Sequence, residues 1–507
     1  MFSLLLALQA AVTPAHAEHQ HTPVLGRVRF ESSCNGTARL ELERGLQWLH
    51  SFEYEDAERS FAAAAAADKT CGIAHWGRAM SLYHPLWAPP SAAELDRGRA
   101  ALRDARAAGL KTARERDYVT ALEAFYQPST DHKSRVLAWL EASGRLYRAY
   151  PSDREAGIFH ALALIAAGTL DADQGYAREK QAAKILNAAL ADNPDHPGVA
   201  HYLIHSFDYP ALAKFALPAA RRYAGIAPAS AHAQHMPSHI FVRLGYWDEA
   251  IRSNLAAEAA ARDYARRERL ADSWDERLHA MDYLAYGYLQ AGDTAKARSV
   301  LDALNAIAKV DPPNFKVAYA ASAIPARYAL ERRAWAEAAS LELSPSVRGL
   351  VDWSKFRWAE AHTHLARAVG AARTGDAAAA RAETARLEAI EQALTAPPGE
   401  YDWRKQVEIQ RRTASAWTLF AEGRSDEAVT AMQEAAAIDD ATEKHPVTPG
   451  SVLPAREQLG ELLLALNRRA EARTAFETAL KDSPGRATAL RGLREASTSD
   501  LRAARDR

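Results

Sequence analysis

The sequence predicts an all-α solenoid of antiparallel helix pairs, and three observations carry that reading. Alanine runs such as Ala62–Ala67 and Ala377–Ala380 supply much of the 48% hydrophobic content. Alanine is the best helix former and is small enough for close helix–helix contact. No sustained alternation of Val, Ile or Thr argues for strands. A turn-plus-alanine formula also recurs at long intervals along 507 residues, more than one ordinary core would use.

The formula places small or apolar residues on a first helix, then a tight turn, then an alanine that opens a second helix. It begins with ARLELERGLQWLHSF followed by YEDAERSFAAAAAAD, where Leu42, Gly45, Leu46 and Leu49 share a face and Ala57 and Phe61 open the partner. It returns as Gly245-Tyr-Trp-Asp-Glu-Ala250, Gly292-Asp-Thr-Ala-Lys-Ala297, Gly375-Asp-Ala-Ala-Ala-Ala380 and Gly423-Arg-Ser-Asp-Glu-Ala428. Looser copies are Arg333-Ala-Trp-Ala-Glu-Ala338 and Asn467-Arg-Arg-Ala-Glu-Ala472. Glycine or asparagine suits the left-handed position that ends a helix. The spacing is 47 residues from Ala250 to Ala297, then 41 to Ala338, 42 to Ala380, 48 to Ala428 and 44 to Ala472. Such a period marks units that cannot bury their apolar faces alone. The formula resembles the tetratricopeptide repeat (TPR), with longer helices or loops, and covers about Ala38 to Leu493 with irregular, longer units between Cys71 and Tyr209.

In chain order, residues 1–17 read as a secretory signal peptide: an apolar run from Phe2 to Val12, then the Ala15-His16-Ala17 cleavage pattern, without a preceding Lys or Arg. Residues 18–35 read as an extended arm, mobile at its end, that carries His19 and His21. Residues 36–308 form the N-terminal repeat region with the histidine-rich segment, 311–495 the C-terminal repeats, and 496–507 a polar tail. Asp311-Pro312-Pro313, Pro397-Pro398-Gly399 and Thr448-Pro449-Gly450 are the candidate joints. The two cysteines, Cys34 and Cys71, precede the first helices of consecutive units. In an oxidising compartment they invite a disulfide; two separately packed small residues is the equal alternative.

The formal net charge is −1, from 63 basic and 64 acidic residues. Without a concentrated basic surface, a nucleic-acid partner is not expected. No stretch after the signal peptide is long and apolar enough for a membrane helix. There is no Gly-x-Ser-x-Gly elbow, no phosphate-cradling glycine loop and no His-Glu-x-x-His signature, so a binding protein is favoured over an enzyme. Asp352, Glu360, His362 and His364 form a polar cluster read as solvent or partner contacts.

Five of the 18 histidines lie between Ala200 and Asn254. His201/His205 and His235/His239 are each four apart, which on a helix sets both rings on one face. Metal sites in helical proteins use such spacings from facing helices, so these four imidazoles could hold a transition-metal ion, zinc or copper. His232, His75, His84 and His160 are reserve ligands, with Asp208 and Asp282 as carboxylates. Pro237 falls inside the second pair, which faces one way only if a helix begins near it. The competing reading is that these are hydrogen-bonded packing histidines. Around them, Trp76, Trp87, Trp247 and Arg243 are candidate anchors for a protein or peptide partner on a concave face, against the alternative that large aromatics fill gaps between alanine-rich helices.

The segments CGIAHWGRAMSLYHPLW, DHPGVAHYLIHSFDYP and HAQHMPSHIFVRLGYWDEAIRSN together resemble a group of exported bacterial tetratricopeptide-repeat proteins named for their repeats rather than for a reaction. The resemblance implies an all-α repeat fold and export to the periplasm or beyond. The expectation is therefore a non-enzymatic scaffold that binds a protein or peptide partner in the cell envelope. The alternative is a metal-binding protein, for storage, sensing or catalysis, using the paired histidines.

Overall fold

A computed structural model describes residues 23–505 apart from 87, 129–130, 171–172, 174, 271–272 and 397–399. The signal-peptide stretch, His19, His21, Trp87 and the Pro397-Pro398-Gly399 joint lie outside the described residues. The chain is an all-α, TPR-like solenoid. The strands among the described residues are one two-residue parallel pair, Ser273–Trp274 beside Val310–Asp311.

The turn-plus-alanine formula works as packing. Ala57, Ala250, Ala297, Ala338, Ala380, Ala428 and Ala472 are all buried, each where a second helix meets the first. Five residues before each, the turn residue has a positive φ: Gly245 71°, Gly292 78°, Gly375 89°, Gly423 80°, Arg333 57° and Asn467 58°. In the first unit this place belongs to Phe52, at φ 56°. A bulky side chain there is strained.

The same lock recurs at both ends of the stack. Phe61, on Tyr54–Ala67, lies against Gly45 and Gly77 on the helices either side. Phe476, on Arg469–Asp482, lies against Gly460 and Gly492 in the same way. A methyl group at any of the four glycines would overlap the ring.

The N-terminal arm is not a loose end. Leu25, Val28 and Phe30 are buried, and the Arg27 N–H donates to Asp195 O at 2.9 Å. Val28 and Phe30, two apart, share one side of the arm and turn it toward the helices. Cys34 and Cys71 are joined by a disulfide. At the other end, residues 496–505 of the stretch read as a polar tail belong to a helix, Ala487–Arg505.

Two large hydrophobic clusters fill most of the interior, one from Leu25 to Tyr286 and one from Leu278 to Ala489. They meet along the helix Asp275–Gln290, ahead of the Asp311-Pro312-Pro313 joint. The C-terminal repeats curl back onto this middle. Trp247 Nε1–H donates to Gly485 O at 3.0 Å. The fully buried Arg486 reaches Glu457, Glu331 and Tyr286. The Thr448–Gly450 joint is clamped as well, with Arg327 donating to Gly450 O at 2.7 Å.

Gly460→Ala should lower stability by about 1–3 kcal/mol through overpacking on Phe476, despite alanine's better helix propensity. A urea unfolding midpoint unchanged from the parent protein would contradict this lock.

Candidate metal centre

Three helical segments bring the histidines together. Pro197–Phe207 starts with proline at its first position, and the His196 side chain accepts from the Val199 N–H at 3.3 Å. It carries His201 and His205. The second segment is Ala231–His235, capped by Ser230, running through Met236 into Pro237–Arg243. Met236 keeps helical angles and Pro237 restarts the helix, so His235 and His239 remain one turn apart on one side. The third is Asp275–Gln290, which carries His279.

The rings form two adjoining triads. In one, His201 Nε2 lies 3.0 Å from His205 Nε2 and 3.2 Å from His232 Nε2. In the other, His235 Nε2 lies 3.0 Å from His239 Nε2, and the His279 ring centre is 4.1 Å from that of His235. Each triad offers three ring nitrogens within 4.8 Å of one another. Ligand nitrogens on a tetrahedral ion with bonds of 2.0–2.1 Å sit about 3.3 Å apart.

The outer nitrogens decide where the lone pairs point. His201 Nδ1 is 2.7 Å from the carbonyl of His50, which can only accept, so Nδ1 carries the proton and Nε2 is bare. His239 Nδ1 likewise donates to Asp208 Oδ2 at 2.9 Å. His235 Nδ1 donates to Asn254 Oδ1 at 2.7 Å, with the Asn254 amide oriented by its own bond to Ala250 O. His235 and His239 therefore aim two bare nitrogens at one another across 3.0 Å. Two acceptors cannot hydrogen-bond; a cation between them would resolve the arrangement.

Burial disfavours a proton in that role. It pushes His205 and His235 down to about 4 and His239 to about 3. His201, His232 and His279 lie well below the usual imidazole value through burial and then through neighbouring histidines. All six are neutral imidazoles at neutral pH, the form in which histidine can bind a metal. Behind them, burial alone would raise Asp208, but Lys444 and Arg243 outweigh it and hold the carboxylate well below its usual range. Arg243 Nε donates to Asp208 Oδ1 at 2.9 Å. A carboxylate behind a ligating imidazole is the usual outer support of a metal site.

A third cluster differs in kind. Glu155 accepts from His50 Nε2 at 2.9 Å and His196 Nε2 at 2.7 Å. With Val199 N–H and Tyr202 OH on the two Nδ1 atoms, every ring nitrogen there is used in a hydrogen bond. This cluster fixes the backbone of His50, whose carbonyl orients His201.

Several residues singled out from the sequence lie elsewhere. His75 lies beside Arg78, His84 packs on Tyr54, and His160 bonds Ser143. Asp282 is paired with Arg327. Trp76 is only 2% exposed, wedged edge-on against Tyr118 and Phe159, so it fills a gap between helices and is not a surface anchor. Arg243 is spent on Asp208 and Glu443, and Trp247 on the Gly485 carbonyl. His362 is buried against Ser322, not solvent-facing. Reserve His232 completes the first triad. His279 completes the second and had no sequence signal, being single on its helix.

No family model matches the chain, and no curated protein matches it. Solved structures similar to it include the P58(IPK) TPR domain, at 14% identity with 93% of this chain and 99% of that one covered and a TM-score of 0.23. Human IFIT1 with m7Gppp-AAAA is similar at 13% identity, with 93% and 97% covered and a TM-score of 0.39. Yeast Tom70 is similar at 10% identity, with 91% and 88% covered and a TM-score of 0.28. At these scores the likeness carries nothing about ligands.

The imidazole set makes metal-free stability fall in acid. Unfolded histidines take up protons below about pH 6.5, whereas the folded ones stay neutral to about 4 or 3. Protons are therefore bound on unfolding across that window, and stability present above 6.5 is lost as pH drops. At pH 5.5 each such imidazole should cost roughly 1 kcal/mol. Urea midpoints of metal-stripped protein at pH 7.5 and 5.5 measure this, and equal midpoints would contradict it.

Proposed function

We propose that this chain is a transition-metal protein in which each histidine triad holds one ion, carried on a helical-repeat frame. The observation behind it is the His235–His239 pair, whose nitrogens are both bare and face each other at 3.0 Å. The donors are neutral imidazoles without thiolate, with the carboxylate of Asp208 in support. That set suits copper or zinc. Three protein ligands leave a coordination position open, as in sites that bind or transform a small molecule; structural sites are closed by four.

Export to an oxidising compartment belongs to the same proposal. The apolar N-terminal run of the sequence and the Cys34–Cys71 disulfide support it. A scaffold for a protein or peptide partner is the second reading. The repeat architecture favours it, although Trp76 and Arg243 belong to the interior and another surface would have to serve.

Elemental analysis of protein purified without a histidine tag should find two transition-metal ions per chain. His235→Ala/His239→Ala should lose one of them while helical content is retained. Metal-free protein that takes up neither copper nor zinc would sink the metal reading.

Asp208→Asn should weaken metal binding by about 10–100-fold, because it removes the charge that orients and polarises His239. Competition against a chromogenic chelator measures this. Unchanged affinity would show that Asp208 serves only the ion pairs with Arg243 and Lys444.

A further inference from the structure

From the arrangement of the triads we infer that they form a single dinuclear copper centre whose open face binds a small apolar diatomic of the dioxygen class. This rests on the metal reading above and extends it to the ligand.

The spacing of the rings separates one-ion pairs from two-ion pairs. Two imidazoles on one tetrahedral ion have ring centres about 5 Å apart. Within the triads the centres are 4.8 Å for His201–His205, 5.0 Å for His201–His232, 5.0 Å for His235–His239 and 4.1 Å for His235–His279. Between the triads they are 6.3 Å for His205–His239 and 6.2 Å for His232–His235. The cross distances exceed the separation of two ligands on one tetrahedral ion. They suit ligands of two ions that are immediate neighbours.

A small cavity opens on both triads. Its walls are His205 and His232 from one and His239 from the other, closed by Phe52, Leu86, Met236 and Pro446. Apart from the imidazoles the lining is apolar, which suits an uncharged diatomic better than a hydrated anion. Two of these lining residues are held where large side chains rarely go, Phe52 at φ 56° and Leu86 at φ 72°. The equivalent turns of later units use Gly245, Gly292, Gly375, Gly423, Arg333 or Asn467. Phe52 instead sets its ring 4.4 Å from that of His201 and 5.6 Å from those of His205 and His232. Strain of this kind persists where the surroundings over-determine it, and here it shapes the cavity roof.

The chemistry balances within the site. Two cuprous ions each give up one electron, dioxygen accepts both, and it binds as the two-electron-reduced species between two cupric ions. The oxygen–oxygen bond stays intact, no proton moves and no further reductant is needed. Release reverses the transfer.

The test uses the whole, tag-free chain loaded anaerobically with cuprous copper and then exposed to air-saturated buffer. The expected result is two copper ions per chain, uptake of one dioxygen per copper pair, a new charge-transfer absorption, and no cupric electron paramagnetic resonance because the paired spins couple. His279→Ala should then hold one copper and take up no dioxygen. Two coppers with full cupric resonance and no oxygen uptake would overturn the dinuclear inference while leaving two separate metal sites. Binding of zinc but not copper would overturn it as well. No metal at all would overturn the metal reading beneath it.

Discussion

Which nitrogen of His201, His235 and His239 carries the proton governs the histidine cluster, and backbone and side-chain acceptors decide it. The carbonyl of His50, the amide of Asn254 and the carboxylate of Asp208 each take an Nδ1–H, leaving Nε2 bare toward the interior. None of the three acceptors is free to turn. His50 is pinned through Glu155 and Tyr202, Asn254 through Ala250, and Asp208 through Arg243 and Lys444. Buried polar groups without partners are costly, so the anchored acceptors behind His201, His235 and His239 are what let those inner nitrogens point inward.

The repeat frame makes such a layer available. Stacked helix pairs leave an interior where residues from units far apart in sequence meet, and small alanines at each crossing keep the helices close. In the histidine units this interior is lined by rings instead of aliphatics. The proline at position 237 divides what would be one helix into two short ones, yet Met236 preserves helical angles through the junction. The His235–His239 relation therefore survives a residue that would ordinarily disturb it.

Much of this was legible in the sequence, and the limits have physical reasons. The alanine and glycine positions could be read because each repeat meets the same steric demand, and the structure buries all seven alanines. His201, His205, His235 and His239 stood out by their i,i+4 spacing. His279 and His50 did not, since each is single on its helix and gains its place only through tertiary contact. Phe52 was visible in principle, as the one bulky apolar residue at a turn position otherwise held by glycine, asparagine or arginine. Trp76 misled because composition cannot tell an aromatic that fills a gap from one that waits on a surface. The arm looked loose because its partners lie far along the chain, the Arg27 N–H on Asp195 O and the Phe30 ring on Trp76 and Tyr118.

The centre is also not the property of the N-terminal half alone. Lys444 bonds Asp208 at 3.3 Å, Pro446 walls the cavity, and the Tyr283 hydroxyl lies 3.3 Å from His239 Nε2 while donating to Thr448 O at 3.0 Å. Lys444 itself is pulled down to about 8, first by burial, with the facing Asp208 the main opposing influence. The segment from Glu443 to Gly450 reaches this place because the later repeats curl back, and Arg243, Arg327 and Tyr401 clamp it there. Assembly of the second set of repeats and closure of the histidine site are thus one packing event. Any ion held by the triads stabilises both halves of the chain together, through the RT ln(1 + [L]/Kd) gain that binding to the folded state always brings.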